Sequence, residues 1–93
     1  MKKLTLFYLD SCGYCQKAFR ALEELSAANP AYAAVEIDKH EESREPELAD
    51  RYDYYAVPSF FVDGDKRFEA HIGMSYEMIR DAVKSVLDYA LEA

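Results

Sequence analysis

Hydrophobic and polar positions follow different periods along the chain, and each change of period marks a predicted element. Residues 4–9 are almost all apolar, which predicts a strand covered on both faces. From Cys15 the apolar residues recur at helical spacing until Asn29, where a proline follows. Val35 and Ile37 then alternate with acidic residues, which predicts a second strand with one solvent-facing side. Because a helix joins these two strands, we expect them to be parallel.

The second half of the chain predicts a short helix, a hairpin and a long helix. The densely charged stretch 39–45 is interpreted as loop and helix surface, and Pro46 is suited to begin a short helix that continues to about residue 52. Two predicted strands, residues 59–62 and 67–72, flank the turn Asp63-Gly64-Asp65-Lys66, which predicts an antiparallel hairpin. The last helix, which Ser75 can cap, has a predicted buried stripe of Ile79, Ala82, Val83, Val86, Leu87 and Ala90.

Length, composition and charge narrow the class of protein. A chain of 93 residues with 51% hydrophobic content can bury one core, so a single domain over residues 1–93 is expected. The net charge of −7, with dispersed basic residues, argues against a nucleic-acid surface. The sequence has no apolar run near the roughly 18 residues of a membrane helix, and its start, Met1-Lys2-Lys3, lacks the features of a secretory signal. We therefore expect a cytoplasmic monomer that binds neither nucleic acid nor a membrane.

The two cysteines of the chain, Cys12 and Cys15, lie three positions apart where the first strand is predicted to meet the first helix. In a reducing compartment such a pair is more often catalytic or metal-binding than a permanent disulfide. Cys12 at the helix N-terminus faces unpaired backbone N–H groups, which stabilise a thiolate, whereas Cys15 lies one turn inside on the core-facing stripe. We predict that Cys12 is the attacking nucleophile and Cys15 the resolving thiol. A metal site and an inert pair remain open as alternatives.

The order strand, helix, strand, helix, strand, strand, helix, with this dithiol after the first strand, resembles the thioredoxin superfamily. Val57-Pro58 before the third strand, the Asp63-Gly64 hairpin and Gly73 before the last helix extend the resemblance over nearly the whole chain. It implies an α/β fold of the type β-α-β-α-β-β-α, in which a four-stranded mixed sheet carries helices on both faces. It also implies thiol–disulfide exchange and a cis peptide bond before Pro58, with the Val57 backbone turned outward to pair with an extended substrate.

The motif combines features of two branches of the superfamily. Tyr14 and the short chain resemble glutaredoxins, whereas Gly13 resembles thioredoxins. The first strand has no acidic residue, although thioredoxins carry a buried carboxylate there. The glutathione-binding segments of glutaredoxins are incomplete, because Ala56 replaces a threonine and residues 73–75 lack the paired glycines. Asp10 stands where a basic residue is typical, and a carboxylate there disfavours both a nearby thiolate and the carboxylates of glutathione.

The resemblance implies a glutaredoxin-like oxidoreductase that reduces protein or glutathione mixed disulfides. Glutathione is a possible co-substrate, glutathione or a thioredoxin reductase is the expected reductant, and no resident cofactor is expected. Tyr14 is expected on an exposed loop, and Arg44 or Arg51 could reach an anion, although solvent-facing charges are the simpler interpretation. Two alternatives are a dimeric metal or iron–sulfur module that uses Cys12 and Cys15, and a non-catalytic interaction domain. The candidate substrate-contacting residues are Tyr14, Val57, Pro58, Gly73 and Ser75.

Overall fold

Strand β1 (Leu4–Tyr8) lies inside a four-stranded sheet of order β2-β1-β3-β4 in the computed structural model, which describes residues 2–92. It pairs in parallel with β2 (Ile37–Glu41) and antiparallel with β3 (Ser59–Val62). Strand β3 pairs antiparallel with β4 (Asp65–Glu69) at the other edge of the sheet. The predicted strand directions and the inner position of β1 are therefore confirmed.

Helices cover both faces of the sheet, as the sequence predicted. Helices α1 (Gly13–Ala28) and α4 (Tyr76–Leu91) pack together on one face, and the short helix α3 (Pro46–Ala49) lies on the other. A one-turn helix, α2 (Pro30–Ala33), was not predicted, because Pro30 was taken only as the stop of α1. Its proline occupies the first helical turn, where a missing N–H costs nothing.

The alternating side chains of the two inner strands supply two separate cores. Leu6 and Phe60 are fully buried on the face covered by α1 and α4. Phe7 and Phe61 point to the opposite face, where they pack with Ala49 of α3. An inner strand with both faces covered has no solvent-facing side, which explains why residues 4–7 are all buried, Thr5 included.

Strand β2 begins later than predicted and extends into the charged stretch. Val35 is buried, but strand pairing starts only at Ile37, because Ile37 stands opposite the first residue of β1, Leu4. Pairing continues to Glu41, opposite Tyr8, so residues 39–41 of the charged stretch are strand. A turn of 3₁₀ helix follows at Glu42–Arg44, and helix α3 ends before residue 52, where the sequence had placed its end.

The hairpin between β3 and β4 is tighter than predicted. Its turn consists of Asp63 and Gly64 alone, with φ values of 49° and 86°, as a two-residue type I′ turn requires. Strand β4 therefore begins at Asp65 and ends at Glu69, two to three residues before the predicted strand of residues 67–72. As a consequence Ile72 lies outside the sheet, with 92% of its surface exposed.

Alanine substitutions at Gly64 and Gly13 test the backbone conformation of the hairpin turn, because an added side chain has space at both positions. Gly64 has a φ of +86°, Gly13 does not lie in the left-handed region, and at both positions a Cβ atom meets nothing within 4 Å. We expect Gly64→Ala to lower the free energy of unfolding by about 1 kcal/mol, because an L side chain disfavours that conformation. Gly13→Ala, the matched control in a helix, should raise it by up to about 0.5 kcal/mol. Urea unfolding measures both, and equal effects of the two variants contradict the turn assignment.

Candidate active site

Cys12 is the N-cap residue of α1. Its backbone is extended, with φ −90° and ψ 118°, and its Sγ accepts a hydrogen bond from the Cys15 N–H at 3.3 Å. The side chain is half-buried at the carboxyl end of β1, and the sulfur is a free thiol. The sequence predicted this placement of Cys12 at the N-terminus of the helix, where a backbone N–H favours negative charge on a sulfur.

Cys15 lies one turn inside α1 and is fully buried. Burial raises the pKa of the Cys15 thiol from 9.0 to about 12, and its hydrogen bond with Cys12 adds to the rise. At neutral pH Cys15 is therefore a protonated, shielded thiol, whereas Cys12 reaches the surface. The two sulfurs of the motif therefore have unequal environments, as the sequence predicted, and their separate roles in exchange stay a prediction.

The peptide bond between Val57 and Pro58 is cis, as the resemblance implied. We refer to residues 55–58 as the cis-proline loop. Within it Pro58 is fully buried, and the Val57 carbonyl accepts a hydrogen bond from the Cys12 thiol at an S···O distance of 3.6 Å. Among the described residues no hydrogen bond uses the Val57 N–H. The structure thus brings Val57 and Cys12 together, with a backbone donor left available beside the thiol.

A carboxylate that sequence reasoning missed holds the start of the cis-proline loop. Glu69 Oε2 accepts hydrogen bonds from the backbone N–H groups of Tyr55 at 2.7 Å and Ala56 at 2.6 Å. The other oxygen, Oε1, accepts one from Lys66 Nζ at 2.7 Å. Partial burial raises the pKa of Glu69, but these three hydrogen bonds outweigh it and lower the pKa overall.

A second carboxylate holds the loop before Cys12. Glu41 is buried, and its Oε2 accepts the backbone N–H of Asp10 at 3.1 Å while Oε1 accepts that of Ser43 at 2.7 Å. Hydrogen bonds from the Ser43 hydroxyl and then from the Asp10 N–H lower the pKa of Glu41. The charge of Asp10 is itself paired with Arg44, at 2.7 Å between Oδ2 and Nη1. Arg44, a possible anion receptor from the sequence, is therefore engaged.

Tyr14 and Gly73 meet, although 58 residues separate them in the chain. The Tyr14 hydroxyl accepts the Gly73 N–H at 2.8 Å, and the ring is half-buried in the first turn of α1 rather than on an exposed loop. Ser75 caps α4 as predicted, since its hydroxyl accepts the Met78 N–H at 3.2 Å. The Gly73 N–H is thus paired within the fold, and the Tyr14 and Ser75 hydroxyls each already accept one backbone hydrogen bond.

Two exposed apolar side chains belong to the loops that carry candidate site residues, and one of them borders a cleft. Tyr55 in the cis-proline loop and Ile72 next to Gly73 each expose 92% of their surface. An open cleft of about 450 Å³ borders Tyr55 and contains the carboxylates of Glu42 and Asp50. Its other lining residues are Ser43, Pro46, Ala49, Tyr52 and Tyr54.

Neither a cluster of metal-ligating side chains nor a membrane-crossing helix occurs within residues 2–92. Over this range no three or more His, Cys, Asp or Glu side chains are grouped so that they could hold a metal ion. None of the helices within the same residues is long and apolar enough to cross a membrane.

Sheet order and the position of the dithiol place the protein among the thiol–disulfide oxidoreductases of the thioredoxin superfamily. Comparison with known proteins agrees, since the sequence model of the family described as glutaredoxin matches residues 4–66. The chain is also 35% identical over 66 residues to a thioredoxin of Methanocaldococcus jannaschii, which covers 71% of this chain and 75% of that protein. The chain therefore belongs to the glutaredoxin family of this superfamily.

Solved structures confirm the thioredoxin-like fold. A thioredoxin variant from Halobacterium salinarum superposes with a TM-score of 0.57 at 26% identity, over 90% of this chain and 73% of that chain. The thioredoxin of Malassezia sympodialis gives a TM-score of 0.60 at 22% identity, over 92% of this chain and 77% of that chain. The family model is that of glutaredoxins, whereas the similar proteins are thioredoxins. The dipeptide Gly13-Tyr14 combines features of the same two branches.

Proposed function

We propose that the protein reduces disulfides in protein substrates, with Cys12 as the nucleophile and Cys15 as the resolving thiol. The contrast between the two thiols carries the proposal. Cys12 caps a helix, is half-buried and receives a backbone N–H on its sulfur, whereas Cys15 is fully buried. A nucleophile needs access and a stabilised thiolate, and a resolving thiol needs proximity and protection from other oxidants.

The reaction consists of two exchanges. The Cys12 thiolate attacks one sulfur of the substrate disulfide and forms a mixed disulfide, while the other substrate sulfur leaves as a thiolate and takes a proton from solvent. Cys15 then gives its proton to solvent, attacks Cys12 Sγ and releases the second substrate thiolate, which is also protonated. Two electrons pass from the dithiol to the substrate. A thiol reductant restores both thiols of the Cys12–Cys15 disulfide.

The surroundings of Cys12 favour an extended protein segment over glutathione. The open N–H of Val57 suits a backbone partner, and the exposed side chains of Tyr55 and Ile72 are available for apolar contact. The carboxylates of Glu42 and Asp50 make the cleft that borders Tyr55 unfavourable for the carboxylates of glutathione. The proposal therefore places protein disulfides first among the substrates.

Asp10 gives a direct test of this charge argument. We expect Asp10→Asn to speed the reaction of Cys12 with anionic glutathione disulfide about threefold to tenfold at low salt, because one nearby negative charge is removed. The rate with an uncharged small disulfide should rise less, because only the effect of the lost charge on the Cys12 thiolate acts there. Asp65→Asn is the matched control, since Asp65 is exposed at the hairpin, away from Cys12. Stopped-flow rates at low and high salt decide, and equal increases in both variants contradict the argument.

A comparison of substrates and reductants tests the proposed function as a whole. Turnover of a protein disulfide is measured beside turnover of a glutathione mixed disulfide, each with glutathione or with a thioredoxin reductase as the reductant. Faster turnover of the protein disulfide supports the proposal, and turnover of the glutathione mixed disulfide alone contradicts it. Metal analysis of the purified protein covers the alternative, because stoichiometric metal that protects both thiols from alkylation overturns the oxidoreductase assignment.

A further inference from the structure

Glu69 is the last residue of edge strand β4, and its side chain crosses to the cis-proline loop. It stands opposite Ser59, the first residue of β3, which follows directly after Pro58. Its side chain is 19% exposed, and a single oxygen, Oε2, accepts both N–H groups at the start of the loop. A carboxylate in this position forms charge-assisted hydrogen bonds, which are stronger and shorter than neutral ones.

The same strand end holds the loop on its other side. The backbone N–H of Ala70 donates to the carbonyl of Pro58 at 3.0 Å, one residue after Glu69. Val57 lies between these two attachments, and its carbonyl is the group that contacts Cys12 Sγ at 3.6 Å. The end of β4 therefore fixes the chain immediately before and immediately after the residue that faces the nucleophile.

We propose that Glu69 is a positioning residue for substrate capture at Cys12. It fixes the cis-proline loop so that the backbone of Val57 is aligned to receive an extended substrate beside the thiol, and it does not itself touch the substrate. The proposal rests on the proposed function, because it concerns how the disulfide-bearing segment is held. Without Glu69 the N–H groups of Tyr55 and Ala56 have no acceptor, so the loop gains freedom that each substrate must then remove on binding.

The two oxygens of Glu69 have different partners, so its role in positioning the loop can be tested separately from its ion pair with Lys66. Lys66 bonds to Oε1, whereas the loop bonds to Oε2. Lys66→Met removes the ion pair and leaves both loop hydrogen bonds, so it is the matched control. Glu69→Gln keeps one oxygen that can accept the loop N–H groups but loses the charge, and Glu69→Ala removes the acceptor.

Two matched substrates report on capture and on thiol reactivity separately. In both, a coloured thiol is joined through a disulfide, in one case to an extended peptide and in the other to a two-carbon thiol. Attack by Cys12 forms a disulfide with the peptide or the small thiol, and the coloured thiolate leaves. Glu69→Ala should raise the half-saturating peptide concentration about tenfold, the size expected from losing roughly one hydrogen bond's contribution, while the small disulfide reacts within about twofold of wild type. Glu69→Gln should fall between, and Lys66→Met should match wild type.

Amide hydrogen exchange provides a second readout that needs no activity. The N–H groups of Tyr55 and Ala56 should exchange faster in Glu69→Ala than in Lys66→Met, with the folded state of each variant checked by urea unfolding. An unchanged half-saturating peptide concentration in Glu69→Ala overturns the positioning role and leaves the proposed function standing. An equal increase in Lys66→Met has the same meaning. If wild-type protein reacts with neither disulfide, the proposed function fails and the positioning role fails with it.

Discussion

Replacing Cys12 with serine is expected to lower disulfide reduction by at least about three orders of magnitude, the scale on which enzymes lose rate with their nucleophile. Cys12 is the thiol that reaches the surface, and its sulfur accepts the Cys15 N–H that stabilises negative charge. A serine hydroxyl remains protonated at neutral pH and cannot open a disulfide by exchange. The rate of reduction of a protein disulfide, with the reductant in excess, measures the loss.

Cys15→Ser is the matched control, because it removes the other sulfur of the same motif. This variant should keep the first exchange and then stop, since Cys15 is the thiol that displaces the substrate from Cys12. A covalent complex of protein and substrate should accumulate, visible by mass spectrometry and released by a small thiol. Full turnover by Cys12→Ser rules out the proposed mechanism. A variant pair in which Cys15→Ser is the inactive one and Cys12→Ser forms the complex reverses the two roles.

Most of the fold could be predicted because the hydrophobic period reports which faces are covered. The exact ends of the strands could not be predicted, because they depend on which residues of the neighbouring strand are available for pairing. Val35 is buried like a strand residue, but β1 has no residue to pair with it, so β2 starts at Ile37 opposite Leu4. The charged residues up to Glu41 join β2 for the same reason, since Tyr8 supplies their partner. Periodicity records burial, and it contains no information on where the neighbouring strand begins.

The two thiols and the cis-proline of the site could also be predicted from the sequence. The carboxylates that hold the neighbouring loops could not. Cys12, Cys15 and Pro58 stand in a motif or in a fixed order along the chain, so the resemblance located them. In the sequence Glu41 looks like any acidic residue of a charged stretch, and Glu69 looks like a solvent-facing residue of the predicted strand 67–72. Their roles depend on strand register, which places Glu69 opposite Ser59 and Glu41 opposite Tyr8.

The two supporting carboxylates share one structural arrangement. Each is the last residue of an edge strand, Glu41 of β2 and Glu69 of β4, at the end of the sheet where Cys12 lies. Glu41 accepts a backbone N–H from the loop before Cys12, and Glu69 accepts two from the cis-proline loop. Hydrogen bonding lowers the pKa of both, so both remain charged acceptors at neutral pH. The outer strands of the sheet therefore hold the two loops that meet at the nucleophile.

In the folded, reduced protein, an alkylating reagent at neutral pH is expected to modify Cys12 and leave Cys15 intact. Cys15 is fully buried, and burial raises its pKa to about 12. A thiol with that pKa is ionised in only about one molecule in 10⁵ at pH 7, against a few per cent for an ordinary thiol, and alkylation requires the thiolate. Mass spectrometry should find one label per native molecule and two after unfolding in urea.

The pH dependence of Cys15 alkylation and the labelling of the two serine variants complete the alkylation test. Below a pKa of about 12 the thiolate fraction of Cys15 rises about tenfold per pH unit, so its labelling should accelerate about a hundredfold between pH 7 and pH 9. Native Cys12→Ser should take up no label at pH 7 and one after unfolding, whereas Cys15→Ser should take up one in both states. Rapid labelling of native Cys12→Ser at pH 7 means that Cys15 is accessible and ionised. The two thiols are then equivalent, and the division into nucleophile and resolving thiol loses its physical basis.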